Sequence, residues 1–235
     1  MKRQSTEIAV VGAGAAGMLA AGTAAEMGAS VLLFERGPKP GRKLRITGKG
    51  RCNITNDCSP REVMENIPTN GKFLYSALEA FPPEEVNKFF EILGVPLKTE
   101  RGRRVFPCSD RASDVVDALV RFCAQNGVEE IRGKVRDVRR EADGMFFLET
   151  EAGDFHAKRV ILCTGGMSYP MTGSTGDGYV IAKRLGHTIV QPRASLVPLL
   201  TKGDLCSRLQ GLSLKNVTLT VLGERGKPKI GRAHV

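Results

Sequence analysis

Ile8-Ala9-Val10-Val11-Gly12-Ala13-Gly14-Ala15-Ala16-Gly17, followed by Ser30-Val31-Leu32-Leu33-Phe34-Glu35, is the stretch that decides how this chain folds. It reads as a strand, a tight turn, an Ala-rich helix up to Gly28, and a second strand that ends on an acid. Each glycine has a physical task. Gly12 permits the tight turn, Gly14 lets backbone approach a pyrophosphate, and Gly17 lets the helix pack close to the sheet. The helix start at Ala15 and Ala16 would present free N–H groups and a partial positive charge to the phosphates. Glu35 can accept hydrogen bonds from both hydroxyls of an adenosine ribose. A 2′-phosphate there would meet a carboxylate, which argues against NADP in this place. An Ala/Gly-rich helix that only packs would leave Glu35 without a reason.

Length and composition bound the rest. The chain has 235 residues, 41% hydrophobic and 26% charged, which is ordinary for one large or two modest globular domains. No apolar run is long enough to span a bilayer. Lys2 and Arg3 precede an apolar stretch, as in a signal peptide, but that stretch carries Glu7 and is broken by three glycines. A cytoplasmic protein with no membrane partner is the expectation. The net charge of +10 admits nucleic acid or an anionic cofactor. The basic residues are spread out, apart from Arg42, Lys43, Arg45, Lys49 and Arg51, and no stacking platform is visible, so nucleic acid is disfavoured. Six cysteines (Cys52, Cys58, Cys108, Cys123, Cys163, Cys206) form no C-x-x-C, and His156, His187 and His234 stand apart from them. No metal site is expected.

Arg36-Gly37-Pro38-Lys39-Pro40 reads as a loop. Gly41-Arg42-Lys43-Leu44-Arg45-Ile46-Thr47-Gly48-Lys49-Gly50-Arg51-Cys52-Asn53-Ile54-Thr55-Asn56 then offers glycines, donors and small polar groups that could wrap an anion. It could equally be a solvated basic loop. This stretch closely resembles the signature of a bacterial group of flavoproteins, the HI0933-like or BaiN-like family. Its members are known variously as NAD(P)/FAD-dependent oxidoreductases, aminoacetone oxidase-like proteins and bile-acid enone reductases. The resemblance runs over nearly the whole chain and includes the block Arg104-Val105-Phe106-Pro107 and Ser109 to Ser113.

Further along, Pro60 can start a helix. Gly71 to Phe81 reads as a second, with Phe73, Leu74, Leu78 and Phe81 on a packing stripe, and Pro82-Pro83 starts a third that Gly94 ends. A hairpin over Val95 to Pro107 precedes a helix from Ser109 or Ser113 to about Asn126. Residues 128–157 read as a β-meander, and Arg159 to Cys163 as a buried strand leading to Thr164-Gly165-Gly166. Such a meander and turn recur as a pair in two-dinucleotide-fold flavoproteins. Thr175-Gly176-Asp177-Gly178 leads into a helix over Val180 to Leu185. It resembles a helix start of the fumarate reductase and ketosteroid dehydrogenase flavoproteins, although Asp177 could equally be a simple capping acid. Strands are expected within 195–199 and 211–221. Ile230-Gly231-Arg232-Ala233-His234-Val235 matches one reading frame of a common sequencing-library adapter (ATC GGA AGA GCA CAC GTC). On that reading residues 230–235 lie outside the fold and the natural protein is longer.

The expected fold is α/β: a doubly wound, FAD-binding Rossmann-like domain over 1–191 with an inserted β-meander, then the start of a β-rich, substrate-side insertion domain over 192–229. The resemblance implies an FAD-dependent oxidoreductase that moves a hydride between NAD(P)H, flavin and a small organic substrate (an activated C=C, a C=O or an amine). Gly12, Gly14, Ala15, Ala16, Gly17, Glu35 and Arg36 form the nucleotide end of its expected site. Arg42, Lys43, Thr47, Gly48, Gly50, Arg51, Cys52 and Asn53 would approach the pyrophosphate, ribityl or ring portions. Val135, Thr164, Gly165, Gly166, Gly176 and Asp177 complete the cofactor set. No catalytic residue is assigned; Tyr169 and Asp177 are candidates for an acid, and Cys52 for a redox thiol, although packing suits Cys52 better. Two rival readings are a flavoprotein of tRNA modification and a protein that binds NAD alone.

Overall fold

Strand β1 (Gln4–Val11) lies at the centre of a six-stranded sheet. In the computed structural model, residues 4–194, 202–212, 220–222 and 228–230 are described. They form two compact units, residues 1–191 and 192–235. In the first, β1 pairs in parallel with β2 (Val31–Glu35) on one side and β9 (Gly153–Leu162) on the other. β2 in turn pairs in parallel with β6 (Glu129–Arg132). Parallel neighbours need crossovers, and helix α1 (Ala15–Glu26) supplies the one between β1 and β2. The sheet order is β6-β2-β1-β9-β8-β7, the last two being β8 (Phe146–Thr150) and β7 (Val135–Arg140), both antiparallel to their neighbours.

Both faces of the parallel strands are buried, and the strand period of two divides them. Val10 and Leu33 join a cluster with Met18 of α1 and with Val115, Val116 and Leu119 of α6 (Ala112–Gln125). Ala9, Val11, Leu32 and Phe34 point the other way, to Val138, Leu148, Phe155 and Ile181. Ile181 belongs to α7 (Asp177–Arg184). Gly22 lets α1 and α6 approach: a Cβ there would lie 2.3 Å from the Phe122 ring. Only Gly133 and Lys134 separate β6 from β7, so their ends lie within about 11 Å. The antiparallel strands must therefore curl back over one face of the parallel sheet.

Several local expectations change. β6 extends the parallel sheet rather than the meander, which consists of β7, β8 and the first half of β9. Phe155 to Ala157 and the run after it form one strand, because β9 pairs with β8 at its start and with β1 along its length. The stretch 41–56 is not all loop. It holds α2 (Arg42–Ile46), a 3-10 turn over Thr47–Gly50 and β3 (Thr55–Asn56). β3 joins β5 (Arg104–Pro107), which also pairs with β4 (Leu97–Glu100) as the expected hairpin. α3 (Pro60–Glu65) starts at proline, with Ser59 and Glu62 forming a capping box. The next expected helix is broken into a 3-10 turn (Gly71–Leu74) and α4 (Tyr75–Ala80). Phe73 is 86% exposed there, so it is not part of a packing stripe. α5 (Pro83–Ile92) follows as anticipated. α7 begins at Asp177, three residues before the helix start read from the sequence.

In the second unit, α8 (Leu205–Arg208) precedes a hairpin of β10 (Thr220–Leu222) and β11 (Pro228–Ile230). Ile230 ends that strand, while residues 231–235, the strand expected at 195–199 and most of that at 211–221 lie outside the described residues. No helix among the described residues is long and apolar enough to cross a membrane.

Candidate functional site

A cleft of about 560 Å³ opens at the C-terminal ends of β1, β2 and β9 and beside the β6–β7 joint. Open parallel α/β sheets present ligand crevices outside the carboxyl ends of their strands, where connections lead away to either side. The β1–α1 turn forms its floor. Gly12 N–H donates to the Phe34 carbonyl at 2.8 Å, and Gly12 has φ +105°. A side chain there would strike the Cys163 carbonyl at 2.5 Å. Gly14 caps α1 without a side-chain bond, leaving the first-turn N–H groups at Ala15 and Ala16 for a ligand. A Cβ built on Gly14 would meet no protein atom within 4 Å. The protein therefore has no packing need for glycine at this position, and a close-lying ligand would supply one.

Glu35 is held from both sides. Its Oε2 accepts from Ala13 N–H at 3.0 Å and its Oε1 from Gly37 N–H at 2.6 Å. A carboxylate accepts about four hydrogen bonds, so both oxygens keep capacity for ribose hydroxyls. Gly41 N–H donates to the Ala13 carbonyl at 2.8 Å and ties the start of α2 to the turn.

The opposite wall is the segment between β9 and α7. Lys43 Nζ donates to the Ser168 carbonyl and hydroxyl at 2.8 and 3.2 Å and to Ser174 Oγ at 2.7 Å. Arg42 donates to the Met171 carbonyl. Arg36 Nη1 reaches Asp177 Oδ2 at 2.7 Å and Thr175 Oγ1 at 2.8 Å, and Lys134 Nζ lies 3.1 Å from the same Asp177 oxygen. Burial alone would raise the Asp177 carboxyl. The Lys134 ammonium, the Thr175 hydroxyl and the Arg36 charge hold it below the usual carboxylate range. Asp177 is thus an ionised acceptor at neutral pH and a poor proton donor. Around the cleft stand four cations, Arg36, Arg42, Lys43 and Lys134, against two carboxylates, Glu35 and Asp177. The net positive lining suits a diphosphate.

Of the residues singled out in the sequence, the structure brings Gly12, Gly14, Ala15, Ala16, Glu35 and Arg36 to this cleft. Arg42, Lys43, Thr47, Val135, Thr164, Gly165 and Asp177 line it too. Others stand behind it for identifiable reasons. Gly17 is a packing glycine: its Cβ would lie 1.8 Å from the Gly12 carbonyl oxygen. Gly48 (φ +56°) gives way to the Phe106 ring, and Gly50 (φ +87°) closes the 3-10 turn. Arg51 turns away to Glu100 and Asp110, at 2.9 and 3.3 Å, and lies over Phe106. The Asn53 side-chain amide faces the Thr55 and Val105 carbonyls, and with its O and N exchanged it would donate to both. Gly166 and Gly176 pack against Tyr179 and Met167. Tyr169 is 68% exposed and lies outside the lining.

Cys52 is fully buried in the α1/α6 core. Burial pushes its thiol up, with a smaller opposing pull from Thr47. A raised, inaccessible thiol is a poor nucleophile. In native protein at pH 8, Cys52 is expected to resist a maleimide that labels the exposed Cys108 at once; peptide mass mapping after a short pulse checks this.

Gly173 and Ser174, from the glycine-rich stretch that leads into α7, also line the cleft, as do Gly133 and Lys134, which were not singled out in the sequence. Gly133 and Lys134 form the two-residue joint where a parallel strand gives way to an antiparallel one. The abrupt Gly-Lys break between two short strands is the one signal that could have marked them. No group of His, Cys, Asp and Glu among the described residues could hold a metal ion.

The comparisons agree with this architecture. The chain is 33% identical over 218 residues to the ribosomal RNA dihydrouridine synthase of Escherichia coli, covering 92% of this chain and 54% of that protein. It is 31% identical over 221 residues to the 3-dehydro-bile acid delta(4,6)-reductase of Clostridium scindens, covering 93% and 53%. The chain thus spans about half the length of these curated relatives. The structure of 3-ketosteroid-delta4-(5alpha)-dehydrogenase from Rhodococcus jostii RHA1 superimposes with a TM-score of 0.59 at 16% identity, over 78% of this chain and 54% of that one. That likeness concerns the fold alone. With the family model for the HI0933-like protein Rossmann domain matching residues 6–230, the chain belongs to the HI0933-like family.

Proposed function

We propose that this chain carries the FAD site of a flavin-dependent oxidoreductase that reduces a C=C bond conjugated with a carbonyl. The observation that carries the cofactor assignment is the joint geometry of Gly14 and Glu35. One presents backbone with no protein in front of it, and the other is a carboxylate fixed by two backbone donors at the end of β2. A bound flavin supplies hydride transfer at N5 of its ring, with NAD(P)H as the electron donor. The chain's own residues bind and orient. The turn at Gly12 to Ala16 and the α1 N-terminus receive the pyrophosphate. Glu35 takes the ribose hydroxyls. Arg42 and Lys43 add positive charge, while Val135, Thr164 and Gly165 wall the cofactor in. Residues 192–229 are the start of a substrate-side insertion.

The substrate class follows from chemistry common to the two relatives. Uridine is reduced to dihydrouridine at a C5=C6 bond conjugated with C4=O. A delta(4,6) bond system in a 3-dehydro-bile acid is conjugated with its C3 carbonyl. Both are acceptors for hydride at a carbon remote from the carbonyl. The RNA-directed version of this reading gains support from the net charge of +10.

The test starts with a visible absorption spectrum of the purified protein and mass identification of any molecule released on denaturation. Bound FAD supports the assignment. A colourless protein that also fails to take up added FAD, in this chain and in any version extended toward the length of its relatives, would sink it and leave the NAD-only alternative. With flavin present, anaerobic reoxidation of the reduced protein by a steroid enone or by uridine-containing RNA separates the two substrates. Salt-sensitive reoxidation by RNA marks the nucleic-acid case.

A further inference from the structure

Granted the dinucleotide reading above, we infer that Asp177 is a specificity-determining residue of the nucleotide site: by engaging Arg36 and Lys134 it withholds from a 2′-phosphate the two cations that would otherwise receive it.

Arg36 follows Glu35 directly, at the end of β2. A guanidinium in that place is what a 2′-phosphorylated ribose needs, because its planar donors match phosphate oxygens. Here the group is already committed. Arg36 Nη1 lies 2.7 Å from Asp177 Oδ2 and 2.8 Å from Thr175 Oγ1. Lys134 Nζ lies 3.1 Å from that same carboxylate oxygen. Arg36, Lys134, Asp177 and Glu35 all line one cleft. The three groups of the triad come from three separate segments: the end of β2, the β6–β7 joint and the start of α7.

Charge counting gives the sign. A 2′-phosphate brings about two negative charges to a place that holds Arg36 and Lys134 against Glu35 and Asp177. With both carboxylates present, the four side chains sum to zero and offer no net attraction. Without Asp177 they sum to +1, with a guanidinium and an ammonium both released. A ribose bearing only hydroxyls, as in FAD, needs neither cation. The triad is about one-third exposed, so it contributes little stability as ion pairs. Its effect is on which ligand is admitted.

A purely structural triad would clamp α7 to the cleft wall, and breaking it would weaken every nucleotide alike. A charge filter predicts a gain. The experiment measures ADP-ribose and 2′-phospho-ADP-ribose by titration calorimetry against wild type, Asp177→Ala, Asp177→Asn and the double variant Asp177→Ala/Arg36→Met. Wild type is expected to prefer ADP-ribose by at least ~10-fold. Both single variants should narrow that ratio by ~10-fold or more, and the double variant should restore it. A ratio that stays at the wild-type value in both single variants overturns the filter. So does loss of all nucleotide binding in both, which would make Asp177 part of the site's frame. Wild type that binds neither ADP-ribose nor FAD defeats the dinucleotide reading itself, a result distinct from an unchanged ratio.

Discussion

Gly14→Val is expected to lose flavin while keeping its fold. FAD affinity should fall by ~100-fold or more, equivalent to about 2.7 kcal/mol. The melting temperature should stay within about 3 °C of wild type, because no packed group is disturbed. Gly14 has φ −84° and ψ −168°, an extended conformation that valine adopts readily. An added Cβ meets nothing within 4 Å of protein. The new methyls therefore project into the volume that backbone-bound phosphates would fill. They also crowd the first-turn N–H groups at Ala15 and Ala16. The small stability cost comes from valine being a poorer N-cap than glycine. Flavin content by absorbance and a thermal melt of the apoprotein measure the two halves separately. A variant that keeps its flavin would show that nothing lies close to this turn and would remove the pyrophosphate from it.

How far the sequence could be read depended on whether a residue's role was local. Gly12 and Glu35 were legible because a tight strand-to-helix turn and an acid closing the next strand are properties of consecutive residues. The fold class followed, since one βαβ unit fixes the parallel core and its handedness. The stretch 41–56 was harder. Its donors and glycines suggest anion binding, yet several of them turn inward, Arg51 to Glu100 and Asp110 and Gly48 to Phe106. The partners of Arg51 and Gly48 lie about fifty to sixty residues away, and periodicity does not report which side of a loop faces a ligand. β6 misled for a related reason. Four residues alternate in the same way whether they pair with β2 or continue a meander, and only the tertiary pairing decides. Lys134 and Asp177 meet across a cleft built from three segments, so their contact could not be read from spacing.

The largest stability loss is expected at Gly17. In a helix interior, Gly→Ala ordinarily stabilises by about 0.5–1 kcal/mol, since alanine loses less backbone freedom on folding. Gly17→Ala should reverse that sign and cost about 3 kcal/mol or more, because overpacking here presses on backbone rather than on a movable side chain. Its Cβ would lie 1.8 Å from the Gly12 carbonyl oxygen, 3.0 Å from the Gly12 carbonyl carbon and 3.2 Å from the Cys163 Cβ. None of these can retreat cheaply. Gly12 is pinned by its N–H bond to Phe34 and by its own close approach to the Cys163 carbonyl, while Cys163 N–H bonds the Val11 carbonyl at 2.8 Å. Relief requires α1 to move away from β1 and β9, which opens the core at Met18 and Ala21. A fall in melting temperature of about 6–12 °C is the corresponding signal for a chain of this size. Flavin affinity should fall with it, since the floor of the cleft moves with the helix. The contrast with Gly14 is the informative part. Two glycines three residues apart in one turn should respond oppositely, one through ligand alone and the other through fold. If Gly17→Ala instead melts at or above wild type, α1 does not sit against the turn as closely as the 1.8 Å approach requires. The depth of the cleft floor would then have to be redrawn.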